Sequence, residues 1–168
     1  MIVNENLLPI NGFHIEAKDG KFNSQVINFN ELPVKEGEKY TLSFYGKQNE
    51  KGSGSYSLIF FRKAIGDTIL SKQYECNKRN SFTFVYTSEM DRFNLYADII
   101  GEETGVSADF NMLKLEKGDK MTPYVPHKSN VKPENQAIFL AGGYSKRCIH
   151  SKFKTSRNRP VKFGGALC

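Results

Sequence analysis

Tryptophan is absent from this chain, and only three cysteines and three histidines occur in its 168 residues. Each shortage excludes something. Without Trp, any flat surface for stacking a ligand must come from Phe or Tyr. Cys76, Cys148 and Cys168 are odd in number and lack CxxC or Cys/His spacing, which argues against a disulfide framework and a zinc site and makes a reducing compartment of synthesis the default. His14, His127 and His150 are dispersed, with no H-E-x-x-H, no G-x-S-x-G elbow and no phosphate-binding G-x-x-x-x-G-K-[ST] loop. No apolar run approaches the ~18 residues that read as a membrane span, and the N-terminal MIVNENLLPINGF has no basic stretch followed by an apolar one, so no export signal is expected.

Acidic residues are missing from one place only: none follows Glu134. The formal charge of +6 is therefore local. Seven of the 24 cationic residues lie at or beyond Lys146, which leaves the rest of the chain with 17 cations against 18 anions and a net charge of −1. A basic footprint for phosphate exists only in the tail, so nucleic acid is not an expected partner of the body.

What the chain has in quantity is Phe and Tyr, thirteen and eight residues, spaced by twos. Tyr40, Leu42, Phe44 and Gly46 fall on one face of a strand, with Thr41, Ser43, Tyr45 and Lys47 on the other. The same alternation separates Phe82, Phe84 and Tyr86 from Ser81, Thr83 and Val85. It also separates Phe93, Leu95, Ala97 and Ile99 from Arg92, Asn94, Tyr96 and Asp98. Residues 55–64 are apolar on both faces, as in a central strand, and 105–117 reads as a long strand through Val106, Ala108, Phe110 and Leu113. Weaker strands are expected at 12–17, 24–29 and 68–74, while helical periodicity is nearly absent. Turn signals separate these runs at Asp19-Gly20, Lys35-Glu36-Gly37, 51–54, Gly66-Asp67, 77–80 and 101–105. About eight short strands at this spacing predict an all-β antiparallel β-sandwich of jelly-roll type, with a barrel as the alternative.

At Lys117 the composition changes. Pro123, Pro126 and Pro133 remove ladder donors, which sets the expected boundary between a sandwich over 1–127 and a linker with basic extension over 128–168. The segment after Tyr144 has neither strand nor helix period, and is expected to be poorly ordered because it cannot bury enough apolar surface to offset its entropy. It reads either as a solvated, truncated or out-of-frame end, or as a basic arm for an anionic partner.

The most specific stretch is LKLEKGDKMTPYVP, from Leu113 to Pro126. It resembles the closing strand of the jelly-roll carbohydrate-binding modules of phage and prophage tail, baseplate and fibre proteins, in which "KLEKG" is followed by a "T-P-aromatic-x-P" segment. NLLP at Asn6 to Pro9, YTLSFYGK at Tyr40 to Lys47 and FTFVYTSEMDRFNLYADI at Phe82 to Ile99 resemble the same group, so the likeness spans about three-quarters of the chain, roughly residues 4 to 127. Read physically, Leu113 and Leu115 face inward, Glu116 and Lys117 end the strand in solvent, and Gly118 permits a turn that lays 123–126 along the outside, where Pro123 and Pro126 would cap an exposed edge. The segment VKPENQAIFLAGGY resembles the start of a next module or an attachment segment.

The resemblance implies a non-catalytic module of a tail protein, located in the virion and made in the bacterial cytoplasm without a signal peptide. Its implied partners are a polysaccharide or cell-wall glycan, by which the tail recognises its host, and other tail subunits, a homo-oligomer included; a membrane is not among them. Sugar sites of this kind use rings that stack on pyranose faces, flanked by amides or Arg. Tyr45 and Tyr96 lie on the polar sides of their strands, with Asn94 and Arg62 as polar companions, so these four residues are the candidate ligand contacts; each Tyr also has the plainer reading of a cross-strand packing partner. The same fold used purely as a spacer or assembly domain is the competing reading, and an accessory module of a secreted glycoside hydrolase is a third. Many such modules hold a structural calcium, which by resemblance falls to Glu16, Asp109 and Asn111, with Asn111 standing where the family carries Asp. The plainer reading of these three is ordinary surface polarity. Asp98 with Glu102 and Glu103 is the nearest thing to a carboxylate pair, and a solvated loop accounts for it more simply.

Overall fold

In the computed structural model the described residues are 3–16, 24–52, 55–62, 67–97 and 105–131. Asp98, Glu102, Glu103, the apolar run 136–141 and the basic extension lie outside them. No helix among the described residues is long and apolar enough to cross a membrane.

Alternating residues that bury one side and wet the other produce eight strands: β1 (Phe13–Glu16), β2 (Ser24–Asn28), β3 (Lys39–Gln48), β4 (Ser55–Arg62), β5 (Thr68–Glu75), β6 (Arg79–Val85), β7 (Met90–Tyr96) and β8 (Ser107–Lys117). Every strand expected from the sequence is present, with its ends shifted by a few residues. The only described helical turns are two short 3-10 segments, Phe29–Glu31 and Lys128–Asn130. The strands form two four-stranded antiparallel sheets, sheet one in the order β1-β8-β3-β6 and sheet two in the order β2-β7-β4-β5. Neighbouring strands of a sheet are mostly distant in sequence, while consecutive strands sit in opposite sheets or across a hairpin, which is the jelly-roll order.

The core lies between the sheets. Tyr40, Leu42, Phe44, Phe84, Phe110, Leu113 and Leu115 face inward from sheet one, against Ile27, Leu58, Phe60, Phe93 and Leu95 from sheet two. Phe60 sits at the centre, its ring centroid 4.8 Å from Phe84 and 5.8 Å from Phe93. A fully buried ring of this size contributes about 1.5–3 kcal/mol through removal of apolar area from water.

β8 departs from simple alternation. Ala108 and Phe110 point inward at even positions, whereas Leu113 and Leu115 point inward at odd ones. The extra residue is absorbed where the β3 pairing shifts between Ser43 and Tyr45, and Met112 takes a φ of 54°. Such a bulge re-aims the strand at the cost of a strained, non-glycine left-handed residue. Opposite it, a Cβ on Gly12 would lie 2.4 Å from the Phe110 carbonyl oxygen, so only glycine lets the chain enter β1 this close to β8.

The N-terminal segment completes the edge of β8. Leu7 N–H donates to Leu115 O at 2.7 Å, and Asn6 makes three bonds: Nδ2 donates to Leu113 O at 2.8 Å, while Oδ1 accepts from Leu8 N at 3.0 Å and Leu115 N at 3.1 Å. This accounts physically for the Asn of the NLLP motif: a buried side chain takes the place of a strand backbone.

Candidate functional site

The two outer faces of the sandwich are unlike. On sheet one, Gly118, with φ 119°, turns the chain back over the strands, and residues 119–126 cross the outer face as a strap. Underneath lie Lys114 and Glu116, both with fully buried side chains and 3.2 Å apart. Lys114 Nζ donates to Thr122 Oγ1 at 2.6 Å and to Pro123 O at 2.9 Å, and Thr122 N–H donates to Glu116 Oε1 at 2.9 Å. Arg79 closes the cluster by donating to Ser43 Oγ at 2.7 Å and to Met112 O, and by lying 5.8 Å from the centre of the Tyr124 ring. Burial holds the Lys114 ammonium below its ordinary pKa, with Glu116 pulling it back up.

Two sequence expectations change here. Glu116 does not end the strand in solvent: it is buried as the counter-charge of Lys114, and only Lys117 is exposed. The strap covers a face rather than capping an edge, because its polar groups reach the outward side chains of β8. The clue was Lys114 and Glu116 two apart on the outward side of a strand, followed by Thr-Pro, a pattern that looks like solvated charge until a cover is placed over it.

Tyr45 lies on this same face, beyond the strap, half-buried and with Arg79 and Asn111 as its cross-strand partners. Glu16, Asp109 and Asn111 are on the outward sides of β1 and β8, where Glu16 pairs with Ser107 and Asp109 with His14. His14 Nδ1 meets Asp109 Oδ1 at 2.8 Å, so an imidazole occupies one carboxylate oxygen that a cation would use. Among the described residues no group of three or more His, Cys, Asp or Glu is placed to hold a metal ion. His127 serves locally: its Nδ1 accepts from Ser129 N–H at 3.2 Å and caps the short turn that follows.

Tyr96 and Asn94 are on sheet two. The two tyrosines therefore occupy opposite outer faces and cannot line one groove. Cross-strand rows of sheet two bring Asn94 between Val26 and Ile59, with Ser71 beyond, and Tyr96 beside Ser57, with Gln73 beyond. Asn94 Nδ2 donates to Tyr96 Oη at 3.4 Å. In the next row the Arg92 guanidinium lies 5.0 Å from the centre of the Phe61 ring and binds Asp91 at 3.1 Å. Arg62, at the end of β4, pairs with Glu89 at 3.4 Å. Val26 is 41% exposed and Ser71 and Gln73 are exposed, whereas Tyr96 and Ile59 are half-buried and Asn94 and Ser57 are buried; no described segment comparable to the strap crosses this face. Its middle rows hold amides, hydroxyls, a phenol and aliphatic surface with no charge, and the ion pairs sit toward the ends. Ser57 and Ile59 were not singled out by sequence, because a strand apolar on both sides does not say which side faces out.

No family model matches the sequence, and no curated protein matches it. Among solved structures, the tripod from the baseplate of bacteriophage Tuc2009 is similar at a TM-score of 0.50 and 17% identity, over 78% of this chain and 61% of that one. A CBM4 structure superposes with a TM-score of 0.44 and 16% identity over 64% of this chain and 71% of that one. A family 16 carbohydrate-binding module does so at 0.40 and 14%, over 62% and 74%. The chain thus spans 61% of the baseplate protein's length. The likeness to the baseplate protein is one of fold alone.

Proposed function

We propose that this chain is a non-catalytic glycan-binding module of a phage or prophage tail protein, exported with the virion, and that the outer face of sheet two is its ligand surface. The observation that carries the reading is the asymmetry of the sandwich: one outer face is sealed by a strap over buried charges, and the other presents Val26, Ser71 and Gln73, with Tyr96 and Ile59 half-buried between them and Asn94 and Ser57 buried beneath, in cross-strand rows. Strands lie ~4.8 Å apart, so successive rungs across the sheet are spaced on the scale of one sugar ring. The phenol ring takes a pyranose C–H face while the amides and hydroxyls take its hydroxyl groups. The attachment side is then opposite: the N-terminal segment is tied to the short turn that follows the strap, through Asn130 to Pro9 O at 2.9 Å and Lys128 to Glu5 at 3.6 Å.

The test is binding to isolated Gram-positive cell walls and a glycan array, native chain against single variants. Tyr96→Ala and Asn94→Ala lose about tenfold or more, equivalent to about 1.4 kcal/mol, whereas Tyr45→Ala on the opposite face binds as the native chain does. Equal loss in all three, or loss only in Tyr45→Ala, contradicts the assignment.

The second reading is an assembly domain without a sugar site. It is favoured by the similarity at a TM-score of 0.50 to a baseplate tripod. Absence of native-chain binding at high micromolar concentration, with retention of the fold, selects it.

A further inference from the structure

Asn11 and Gly12, where the chain enters β1, hold a chemistry that neither outer face uses. Both residues are exposed, and the Asn11 side chain is the hub at which the strap and the short turn after it meet the N-terminal segment. Asn130 Nδ2 donates to Pro9 O at 2.9 Å and to Asn11 Oδ1 at 3.1 Å. A backbone carbonyl only accepts, so Asn130 presents its NH2 group here, and the Asn11 atom facing it is the oxygen. Tyr124 Oη then donates to the same oxygen, also at 3.1 Å. Burial pushes the Tyr124 phenol above its ordinary pKa, which keeps that proton in place under mildly alkaline conditions.

Two donors on one amide oxygen draw electron density from Cγ and stand where negative charge develops when a nucleophile adds there. A nucleophile is adjacent. The Gly12 N–H makes no hydrogen bond among the described residues, and its nitrogen reaches Asn11 Cγ by closing a five-membered ring, with no encounter between separate groups to be arranged. Glycine leaves that approach unobstructed, and it is obligatory here, since a Cβ would lie 2.4 Å from Phe110 O. The fold thus requires, after Asn11, the residue type that shields its own nitrogen least.

We propose that Asn11-Gly12 is a self-modification site, at which the folded chain converts Asn11 through a cyclic imide to aspartate or isoaspartate, with Tyr124 and Asn130 as the oxyanion donors. Hydroxide takes the Gly12 amide proton, the nitrogen bonds to Cγ, and the Cγ–Nδ2 bond breaks, with ammonia leaving on a proton from water. Water then adds to one of the two imide carbonyls and breaks its bond to the Gly12 nitrogen, which recovers a proton. Opening at Cγ leaves an aspartate. Opening at the former Asn11 backbone carbonyl leaves an isoaspartate, whose main chain is one carbon longer. In that product the carbonyl that accepts from Leu113 N–H at 3.1 Å has become a free carboxylate, so the entry to β1 loses its seat on β8. The change does not depend on ligand binding at either outer face.

Incubation of the full chain at mildly alkaline pH tests this, followed by mass spectrometry of the tryptic peptide that ends at Lys18 and by enzymatic methylation of isoaspartate. Over time the peptide gains the mass difference between an NH2 and an OH group, fragmentation places the gain at Asn11, and the peptide becomes a methyl acceptor. Ion exchange separates a more acidic form of the chain that melts below the parent. Asn11→Gln, which would need a larger ring, abolishes the change at this position. Tyr124→Phe and Asn130→Ala each remove one donor and slow the conversion about tenfold or more, with native dichroism spectra confirming that both variants fold. No conversion at Asn11 in the folded chain, or a rate unchanged or raised in either folded donor variant, overturns the proposal.

Discussion

The two outer faces of this sandwich are built from the same strand alternation and put to opposite uses. On sheet one the outward charges Lys114 and Glu116 are fully covered, and every polar atom of the strap that reaches them is part of their solvation. On sheet two the outward residues at mid-strand are uncharged, and no described strap covers them. Outward position on a strand thus says little about exposure until the path of the following segment is known. A charge beneath a cover specifies where that cover must sit, because the desolvated groups are satisfied in one arrangement only.

The comparison can be broken most severely by removing one charge. Glu116→Ala leaves the Lys114 ammonium buried without its counter-charge, and a loss of about 3–5 kcal/mol is expected in urea denaturation. The paired replacement Lys114→Met with Glu116→Leu restores most of that loss, and failure to do so would mean that the strap is held by something other than satisfaction of these charges. A smaller effect is expected from Asn6→Ala, which leaves Leu8 N–H, Leu115 N–H and Leu113 O to find other partners, costing about 1–3 kcal/mol. Tyr96→Ala on the open face should change the unfolding midpoint little while lowering ligand affinity, the reverse of the pattern on sheet one; a drop comparable to Glu116→Ala would make Tyr96 a structural residue.

The smallest effect concerns Glu38 and Lys117, an exposed pair at the end of the sandwich. The hydrogen bond from Lys117, with that of Tyr40, holds the Glu38 carboxyl below its ordinary 4.5, and the same bond raises Lys117 above 10.5. The Glu38 contribution is present above pH 4.5 and is lost as pH falls through its lowered value in the folded chain. The Lys117 contribution is present below pH 10.5 and is lost as pH rises through its raised value. Melting temperature against pH should therefore fall more steeply at both extremes for the native chain than for Lys117→Met, and superimposable profiles would remove the pair from the stability account.

Most of the architecture could be read from the period of two, since Phe44, Phe84, Phe93 and Leu95 are buried as their spacing requires. Gly118 was equally legible, because a tight reversal after a strand needs a left-handed residue. The site was less so. Tyr45 and Tyr96 look alike in sequence, both on the polar side of an aromatic strand, but the jelly-roll connection sends β3 and β7 to different sheets. The buried pair Lys114 and Glu116 was invisible for a related reason: local spacing reports which side a residue takes, and a contact with Thr122 and Pro123 depends on how the chain returns. Lys117 meets Asn4 and Glu38 at one end of the sandwich although 113 and 79 positions separate it from them, a contact that no local spacing reports.

The tie between Asn130 and the Pro9–Asn11 stretch has a mechanical consequence. Asn130 reaches Pro9 and Asn11, and Lys128 reaches Glu5, so the first and last described segments are fastened side by side. A load that pulled these two segments apart would fall first on the contacts of Glu5, Lys128 and Asn130, while the two sheets stay slack.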